Sequence, residues 1–246
     1  MKDFIKIKNL ILVSYKGERN LINIPNLQFD SKSISVIIGP NGAGKSLLLN
    51  LIQGLILPSS GTIKIKSSIK DKSCKKVSIM MQKPSFLRRT TEQNIQFVLE
   101  LNKDKRKVSY LDILERFDLF AQRKILANKL SGGEKQRLAL ALAIITNSKI
   151  LLLDEPTANA DPRTTFKIEK IIKEEAISGK KILLVTHNIP QAKRLGQDIA
   201  FIHRGKVLEH CNKAVFVNHP KVKEINQFLE GCLLYTSDAA DERSSV

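Results

Sequence analysis

The segment Gly-Pro-Asn-Gly-Ala-Gly-Lys-Ser at Gly39–Ser46 constrains this chain more than any other feature. The apolar run Ser35–Ile38 before it predicts a strand, and Lys45–Gln53 after it has the spacing of a helix. The glycines let successive backbone N–H groups face one anion, and the helix dipole adds its positive end. The pattern therefore predicts a strand–loop–helix unit that binds nucleotide phosphates, with Lys45 on the outer phosphates and Ser46 on Mg²⁺.

Short apolar runs and helical stretches alternate through the rest of the chain. Ile150–Leu153 and Ile182–Val185 are apolar on both faces, and the helical stretch Arg163–Ile177 separates them. This alternation is typical of a parallel sheet covered by helices. The middle third instead carries apolar residues at helical spacing in Thr91–Leu101 and Tyr110–Phe120, which predicts a helical lobe.

Four further segments indicate strands. Two lie near the N terminus, and two near the other end form a hairpin over Arg204–Gly205; these segments are Ile5–Val13, Asn20–Phe29, Asp198–His203 and Lys206–His210. No run approaches the ~20 apolar residues that span a bilayer. The sequence therefore predicts an α/β protein, and any spanning of a membrane belongs to another chain.

Two carboxylates, Asp154 and Glu155, follow the strand Ile150–Leu153 directly. The carboxyl ends of buried parallel strands are where open α/β sheets hold their ligands. Asp154 suits Mg²⁺ and its waters, and Glu155 is placed to polarise a water that attacks the terminal phosphate.

The segment Leu-Ser-Gly-Gly-Glu-Lys-Gln-Arg at Leu130–Arg137 opens another helical run. Ser131 and Glu134 fit a capping box, which explains the helix start locally. Two consecutive glycines in a first turn nevertheless weaken a helix by about 1 kcal/mol each relative to Ala. The two glycines would be favoured if their exposed N–H groups faced a further phosphate group.

The phosphate loop, LSGGEKQR and ILLLDE, in this order, resemble the ATP-binding cassette family of ATPases over essentially Ile5–Gly231. The resemblance implies a P-loop NTPase core with a RecA-like parallel sheet, an N-terminal antiparallel β subdomain and an inserted α-helical subdomain. It implies one ATPase domain over 1–231, with the core in 1–83 and 146–231 and the helical subdomain in 84–145.

The resemblance also assigns roles in binding and hydrolysing ATP. Tyr15 matches the aromatic residue that stacks on adenine, and His187 matches the histidine that contacts the γ-phosphate. Gln82 matches the glutamine that senses Mg²⁺ and links the two lobes. The expected metal ligands are Ser46, Gln82 and Asp154, and the expected catalytic residues are Glu155, His187 and Gln82. The expected nucleotide contacts are Tyr15, Gly39, Pro40, Asn41, Gly42, Ala43, Gly44, Lys45, Ser46, Leu47, Ser131, Gly132, Gly133 and Glu134.

In this family the signature residues Ser131–Gly133 complete the nucleotide site of a second copy, so that a head-to-tail dimer sandwiches two ATP molecules. The segment Ala158–Asp161 matches the loop that runs between the two sites, although Ala160 stands where leucine is usual. The expected partners are a second copy, an integral-membrane permease and, indirectly, a periplasmic or surface solute-binding protein. The expected location is the cytoplasmic face of the membrane.

A single cassette without spanning segments looks like the ATPase subunit of a bacterial importer. Within importers, Phe86–Thr90 and Gln191–Gly205 look most like the tungstate-type oxyanion cassettes. Two alternatives remain open: an exporter subunit, and an ATPase acting on nucleic acid or ribosomes. Lys and Arg number 41 against 24 Asp and Glu, for a formal net charge of +17, which would serve an anionic partner. Since no aromatic-studded RNA-binding strand accompanies the lysines, a solvated basic surface is the simpler interpretation, and a nucleic-acid partner is not expected.

The tail CLLYTSDAADERSSV, residues 232–246, breaks the pattern of the rest of the chain. It matches the translation of a common transposon-based sequencing adapter, and it is interpreted as non-native. The three cysteines, Cys74, Cys211 and Cys232, show neither CxxC nor zinc-like spacing, which favours a reducing compartment.

Overall fold

The computed structural model describes residues 4–15, 17, 19–30, 34–66, 77–102, 108–158, 160–218 and 222–229. The predicted tail and two of the three cysteines, Cys74 and Cys232, lie outside these residues. The strands are β1 (Phe4–Val13), β2 (Asn20–Phe29), β3 (Ile34–Ile38), β4 (Ser60–Lys66), β5 (Val77–Met80), β6 (Ile150–Asp154), β7 (Lys181–Val185), β8 (Asp198–His203) and β9 (Lys206–Asn212).

Helices follow or connect most of these strands. They are α1 (Lys45–Gln53), α2 (Thr91–Leu101), α3 (Tyr110–Arg116), α4 (Gly132–Ile145), α5 (Pro162–Ile177), α6 (Ile189–Leu195), α7 (Lys213–Asn218) and α8 (residues 223–229). The chain divides into two compact units, which are described one at a time. The first contains the described residues of Met1–Ile5, Asp30–Ser33 and Ile65–Leu184, and the second those of Lys6–Phe29, Ile34–Lys64 and Val185–Val246.

In the first unit, β5 and β6 pair in parallel, with Val77 opposite Ile150 and Met80 opposite Leu153. Every residue of β6 is buried, as expected for a strand that is apolar on both faces. The helices α2, α3 and α4 pack together, and α2 begins with a capping box formed by Thr90 and Gln93. The helical middle third predicted from the apolar spacing is present.

The predicted helix Tyr110–Phe120 is shorter in the structure, because α3 ends at Arg116. Asp118 adopts φ +54°, a left-handed conformation that stops a helix, and Leu119 N donates to Leu114 O. The Asp118 carboxylate pairs with Lys167 of α5, and this hydrogen bond is the main reason that the pKa of Asp118 lies below its usual value. The spacing of apolar residues did not reveal where α3 ends. A tertiary contact, between Asp118 and Lys167, lies just after that end.

In the second unit, β3 pairs in parallel with β8, and β8 pairs with β9 in the predicted antiparallel hairpin. A separate three-stranded sheet has the order β2-β1-β4. Buried Ile residues of β1 and β2 supply the core of that sheet. The prediction of an α/β fold is confirmed. Among the described residues, no helix is both long enough and apolar enough to cross a bilayer.

Candidate functional site

The loop between β3 and α1 presents the start of a helix to solvent. Gly44 is the N-cap of α1 with φ +101°, no side chain caps the helix, and its first turn carries no acidic residue. The leading N–H groups of a helix need external partners, and the helix dipole is positive at this end. The loop therefore has the form of an anion-binding site, as its sequence predicts.

Lys45 bends back over this loop. Its ammonium Nζ donates to Gly39 O at 2.7 Å and to Pro40 O at 2.9 Å, and the residue is only 8% exposed. Its neighbour Ser46 is exposed. A positive charge thus lies beside the N–H groups of the helix start, where a polyphosphate would gain from both.

The β8–β9 hairpin supports the loop from behind. A Cβ atom at Gly39 would lie 1.9 Å from Ile202 O, so only glycine allows this close approach. Gly205 N donates to Ala43 O at 2.9 Å, and Asn23 N donates to Gly205 O at 2.8 Å. The hairpin turn is therefore part of the loop's support, a role that the turn prediction at Arg204–Gly205 did not include.

Gly205→Ala is expected to reduce the free energy of unfolding by about 2–5 kcal/mol, through left-handed strain plus overpacking. Gly205 has φ +74°, and an added Cβ would lie 2.3 Å from Leu21 O. Gly54→Ala is the matched control, because Gly54 has φ +80° and nothing within 4 Å of the new Cβ. The control should lose only about 1–2 kcal/mol in urea unfolding. Equal losses in the two variants would contradict the close packing at Gly205.

The carboxylate pair ends the buried strand β6 in the first unit. Asp154 is 7% exposed and Glu155 is 6% exposed. Glu155 has φ +49°, a conformation that costs a non-glycine residue of order 1–3 kcal/mol and that clusters at functional sites. The strain and burial at Glu155 support its selection as a catalytic residue.

Gln82 lies at the same edge of the first unit's strands. Met80 pairs with Leu153 across the parallel β5–β6 ladder, so the two strands reach their carboxyl ends at the same level of the sheet. Gln82 follows β5 by two residues and is exposed. The structure thus places Gln82, Asp154 and Glu155 at the carboxyl ends of two neighbouring strands. Their side-chain oxygen atoms are the hard donors that suit Mg²⁺.

The signature turn, Ser131–Gly133, begins α4 with the predicted capping box. Ser131 N donates to the Glu134 carboxylate at 2.8 Å, and Glu134 N donates to Ser131 Oγ at 3.4 Å. Ser131 and Gly132 are exposed. The turn is therefore held in shape by its own side chains while its outer surface stays open.

Tyr15 and His187 belong to the second unit, together with the phosphate loop. Tyr15 is fully exposed, so the face of its ring is open to solvent. His187 is also exposed and follows β7; Thr186 N, just before it, donates to Ile37 O of β3 at 3.2 Å. His187 therefore leaves the sheet beside the strand that opens into the phosphate loop.

The structure groups the predicted site residues by unit. The second unit carries Tyr15, Gly39–Leu47 and His187, and the first carries Gln82, Ser131–Glu134, Asp154 and Glu155. Sequence reasoning missed two supports of the phosphate loop, Ile202 and Gly205, since nothing in their local sequence marks the contacts they make.

Comparison with known proteins identifies a matching family and several similar proteins. The family profile described as ABC transporter matches residues 22–158. The tungstate uptake system ATP-binding protein TupC of Peptoclostridium acidaminophilum is 36% identical over 80% of this chain and 93% of its own length. The phosphate import ATP-binding protein PstB of Campylobacter jejuni is 31% identical over 92% of this chain and 98% of its own length.

A solved structure agrees with these sequence matches. The dimeric ATP-binding cassette MJ0796, in a post-hydrolysis state bound to ADP and phosphate, superposes with a TM-score of 0.74 at 28% identity. The match covers 85% of this chain and 98% of that one. The likeness therefore extends over sequence and fold together.

Proposed function

This chain belongs to the ABC transporter family of ATP-binding subunits, and from that premise we propose that it powers uptake of tungstate or a related tetrahedral oxyanion through a separate permease. ATP hydrolysis coupled to transport is the activity of the family. The observation that carries its assignment to ATP is the uncapped start of α1 with Lys45 folded over it.

In the proposed reaction, residues of the second unit bind the nucleotide. Tyr15 stacks on the adenine, because an exposed aromatic ring offers a flat apolar face. Backbone N–H groups of the phosphate loop and the Lys45 ammonium hold the phosphates. The histidine at position 187 contacts the γ-phosphate.

Hydrolysis requires a water activated beside the γ-phosphate. Glu155 orients that water and accepts its proton as the bond to phosphorus forms. Ser46, Gln82 and Asp154 would hold Mg²⁺, which neutralises phosphate charge when it is bound. The strained backbone at Glu155 fixes the carboxylate before ATP arrives.

We assign the signature turn to a second copy of the chain. In the proposed head-to-tail dimer, the exposed N–H groups of Ser131–Gly133 face the ATP held by the partner. The dimeric state of MJ0796 supports this arrangement. ATP binding closes the dimer and hydrolysis reopens it, which is a ligand-driven change between two global states.

The proposed site of action is the cytoplasmic face of the membrane, with the permease supplied by other chains. We propose that the chain divides into a core and a helical lobe over 84–145, and that the lobe contacts the permease.

The oxyanion assignment is supported by the similarity to the tungstate and phosphate import subunits. The cassette itself does not contact the transported solute, so its residues do not read the anion.

Deletion of the gene tests the substrate. Tungstate uptake, measured as cell-associated tungsten, is expected to fall and to return with the parental gene but not with Glu155→Gln. Molybdate, phosphate, sulfate and methionine uptake are measured in parallel. Loss confined to a different oxyanion would replace tungstate by that anion, and unchanged uptake of all four oxyanions would overturn the assignment.

A further inference from the structure

A hydrogen-bond chain joins α4 to the beginning of α5 within the first unit, and it is buried at Arg137 and Thr164. Arg137 Nη1 donates to Thr164 Oγ1 at 3.1 Å, and Thr164 Oγ1 donates to Asp161 Oδ2 at 2.7 Å. Asp161 is the N-cap of α5, and its Oδ1 accepts from Thr164 N at 2.9 Å. Arg137 is 9% exposed and Thr164 is 5% exposed, so water competes little for the bond between them, while Asp161 is exposed to solvent.

Thr164 also touches the signature turn. A Cβ atom on Gly133 would lie 3.3 Å from both Cγ2 and Oγ1 of Thr164, which is tighter than most real contacts. Packing beside Thr164 therefore favours glycine at position 133, in addition to any contact between the Gly133 N–H and a nucleotide. The contact brings the signature turn against the first turn of α5.

A second connection runs from α4 to the segment that follows Glu155. Gln136 Nε2 lies 3.5 Å from Ala158 O, and Ala158 N closes a turn by donating to Glu155 O at 3.1 Å. The first residues of α4 therefore contact the chain on both sides of residue 159. Through these contacts, the position of the signature turn is tied to the turn that begins at Glu155.

The hydrogen bond from Thr164 also stabilises the charged form of the Asp161 carboxylate. The hydrogen bond from the Thr164 side chain is the main cause that lowers the pKa of Asp161 below its usual value. Arg137 Nη2 also donates to Asp118 O at 3.2 Å. Gln136 Oε1 and Arg137 Nε, both buried, have no hydrogen-bond partner within the described part of the chain. Thr164 Oγ1 links Arg137 to Asp161, since it accepts from the first and donates to the second.

We propose that Thr164 is a positioning residue that holds the signature turn, Ser131–Gly133, at a fixed place relative to Asp161 and to the turn Glu155–Ala158. This inference rests on the proposed function, in which the signature turn serves the partner's ATP while Glu155 serves the chain's own. Both must be correctly placed at the same moment. The Thr164 hydroxyl sets that relation without touching nucleotide.

Thr164→Val tests the proposal because it keeps the shape of the side chain and removes only the hydroxyl. We expect kcat for ATP hydrolysis to fall on the order of 10-fold, as for a small misplacement of reacting groups. The Kd for ATP, measured on the isolated chain by calorimetry, should change by less than about 2-fold because the phosphate loop is untouched. In the Glu155→Gln background, Thr164→Val should also weaken the ATP-dependent dimer.

Two controls separate positioning from general damage. Thr164→Ser keeps the hydroxyl and should restore kcat. Thr165→Val makes the same chemical change one residue later, where the side chain makes no hydrogen bond within the described residues, and should hydrolyse ATP at the parental rate. Assays run well below the thermal midpoint of each variant, and circular dichroism verifies the fold. If Thr164→Val does not fold, Thr164→Ala provides the same comparison.

The outcomes distinguish this proposal from the proposed function. Parental kcat in a folded Thr164→Val, or failure of Thr164→Ser to restore kcat, overturns the positioning role while ATP hydrolysis by the parent stands. Absence of hydrolysis by the parent overturns the function itself. Carbon-13 titration of Asp161 adds a local readout: its pKa should rise in Thr164→Val and stay low in Thr164→Ser. An unchanged pKa in Thr164→Val would contradict the hydrogen-bond chain.

Discussion

Glu155→Gln is expected to slow ATP hydrolysis by about 10²–10⁴-fold, the usual contribution of a positioned general base. The amide keeps the size of the carboxylate and its place at the end of β6, but it cannot accept the proton of the attacking water. ATP affinity should remain, since the phosphate loop is unchanged. Steady-state release of phosphate and equilibrium binding of ATP, measured on the same preparation, give the two quantities.

Trapped ATP should then stabilise the dimer of the Glu155→Gln chain. Gel filtration is expected to show a dimer with ATP and a monomer without it. Ser131→Arg, added to this variant, should abolish the dimer by placing a long side chain where the partner's γ-phosphate lies. Ser109→Arg is a matched control, because Ser109 is also an N-cap serine, at the start of α3. Its dimer should persist.

Glu209→Gln is the control for the chemistry, being the same substitution at a half-buried glutamate of β9. It should hydrolyse ATP at the parental rate. Hydrolysis by Glu155→Gln at the parental rate would remove Glu155 as the base. Dimers that form equally well without nucleotide would contradict the sandwich mechanism.

Lys45→Ala is expected to weaken ATP binding by about 10- to 150-fold, since a hydrogen bond to a charged group is worth about 1.5–3 kcal/mol. The ammonium contacts Gly39 O and Pro40 O, so it lies over the loop before any ligand arrives. Binding therefore requires little reordering of this side chain. Isothermal calorimetry with ATP measures the change directly.

Lys45→Met separates charge from packing, because it keeps a long apolar side chain and removes the ammonium. It should lose as much ATP affinity as Lys45→Ala. Lys64→Ala removes an exposed lysine of β4 and should leave affinity unchanged. Parental affinity in both Lys45 variants would exclude Lys45 from the phosphate site.

Much of the fold follows from local sequence, because burial on both faces leaves a clear pattern. The apolar runs Ile150–Leu153 and Ile182–Val185 make up most of β6 and β7, and every residue of both strands is buried. The start of α4 is equally local, since Ser131 and Glu134 cap it with their own side chains. Such features depend on residues a few positions apart and can be predicted from one sequence.

Features that depend on distant residues were not predicted. The end of α3 involves Asp118, whose carboxylate pairs with Lys167 of another helix. The signature glycines were explained by phosphate contact alone, whereas Gly133 also packs against Thr164. The candidate site residues can be predicted from the sequence because motifs preserve chemistry at fixed spacing. The residues that hold them in place come from other parts of the chain and carry no such spacing.

The support of the phosphate loop by Ile202 and Gly205 has a consequence for biosynthesis. The loop motif leaves the ribosome early, but the hairpin behind it is made roughly 10–30 s later at usual rates of translation. During that interval the nascent chain contains every residue of the anion site without its backing. ATP therefore stabilises this protein only once synthesis has passed the β8–β9 hairpin, and the nucleotide acts as a ligand of the finished fold instead of a template for it.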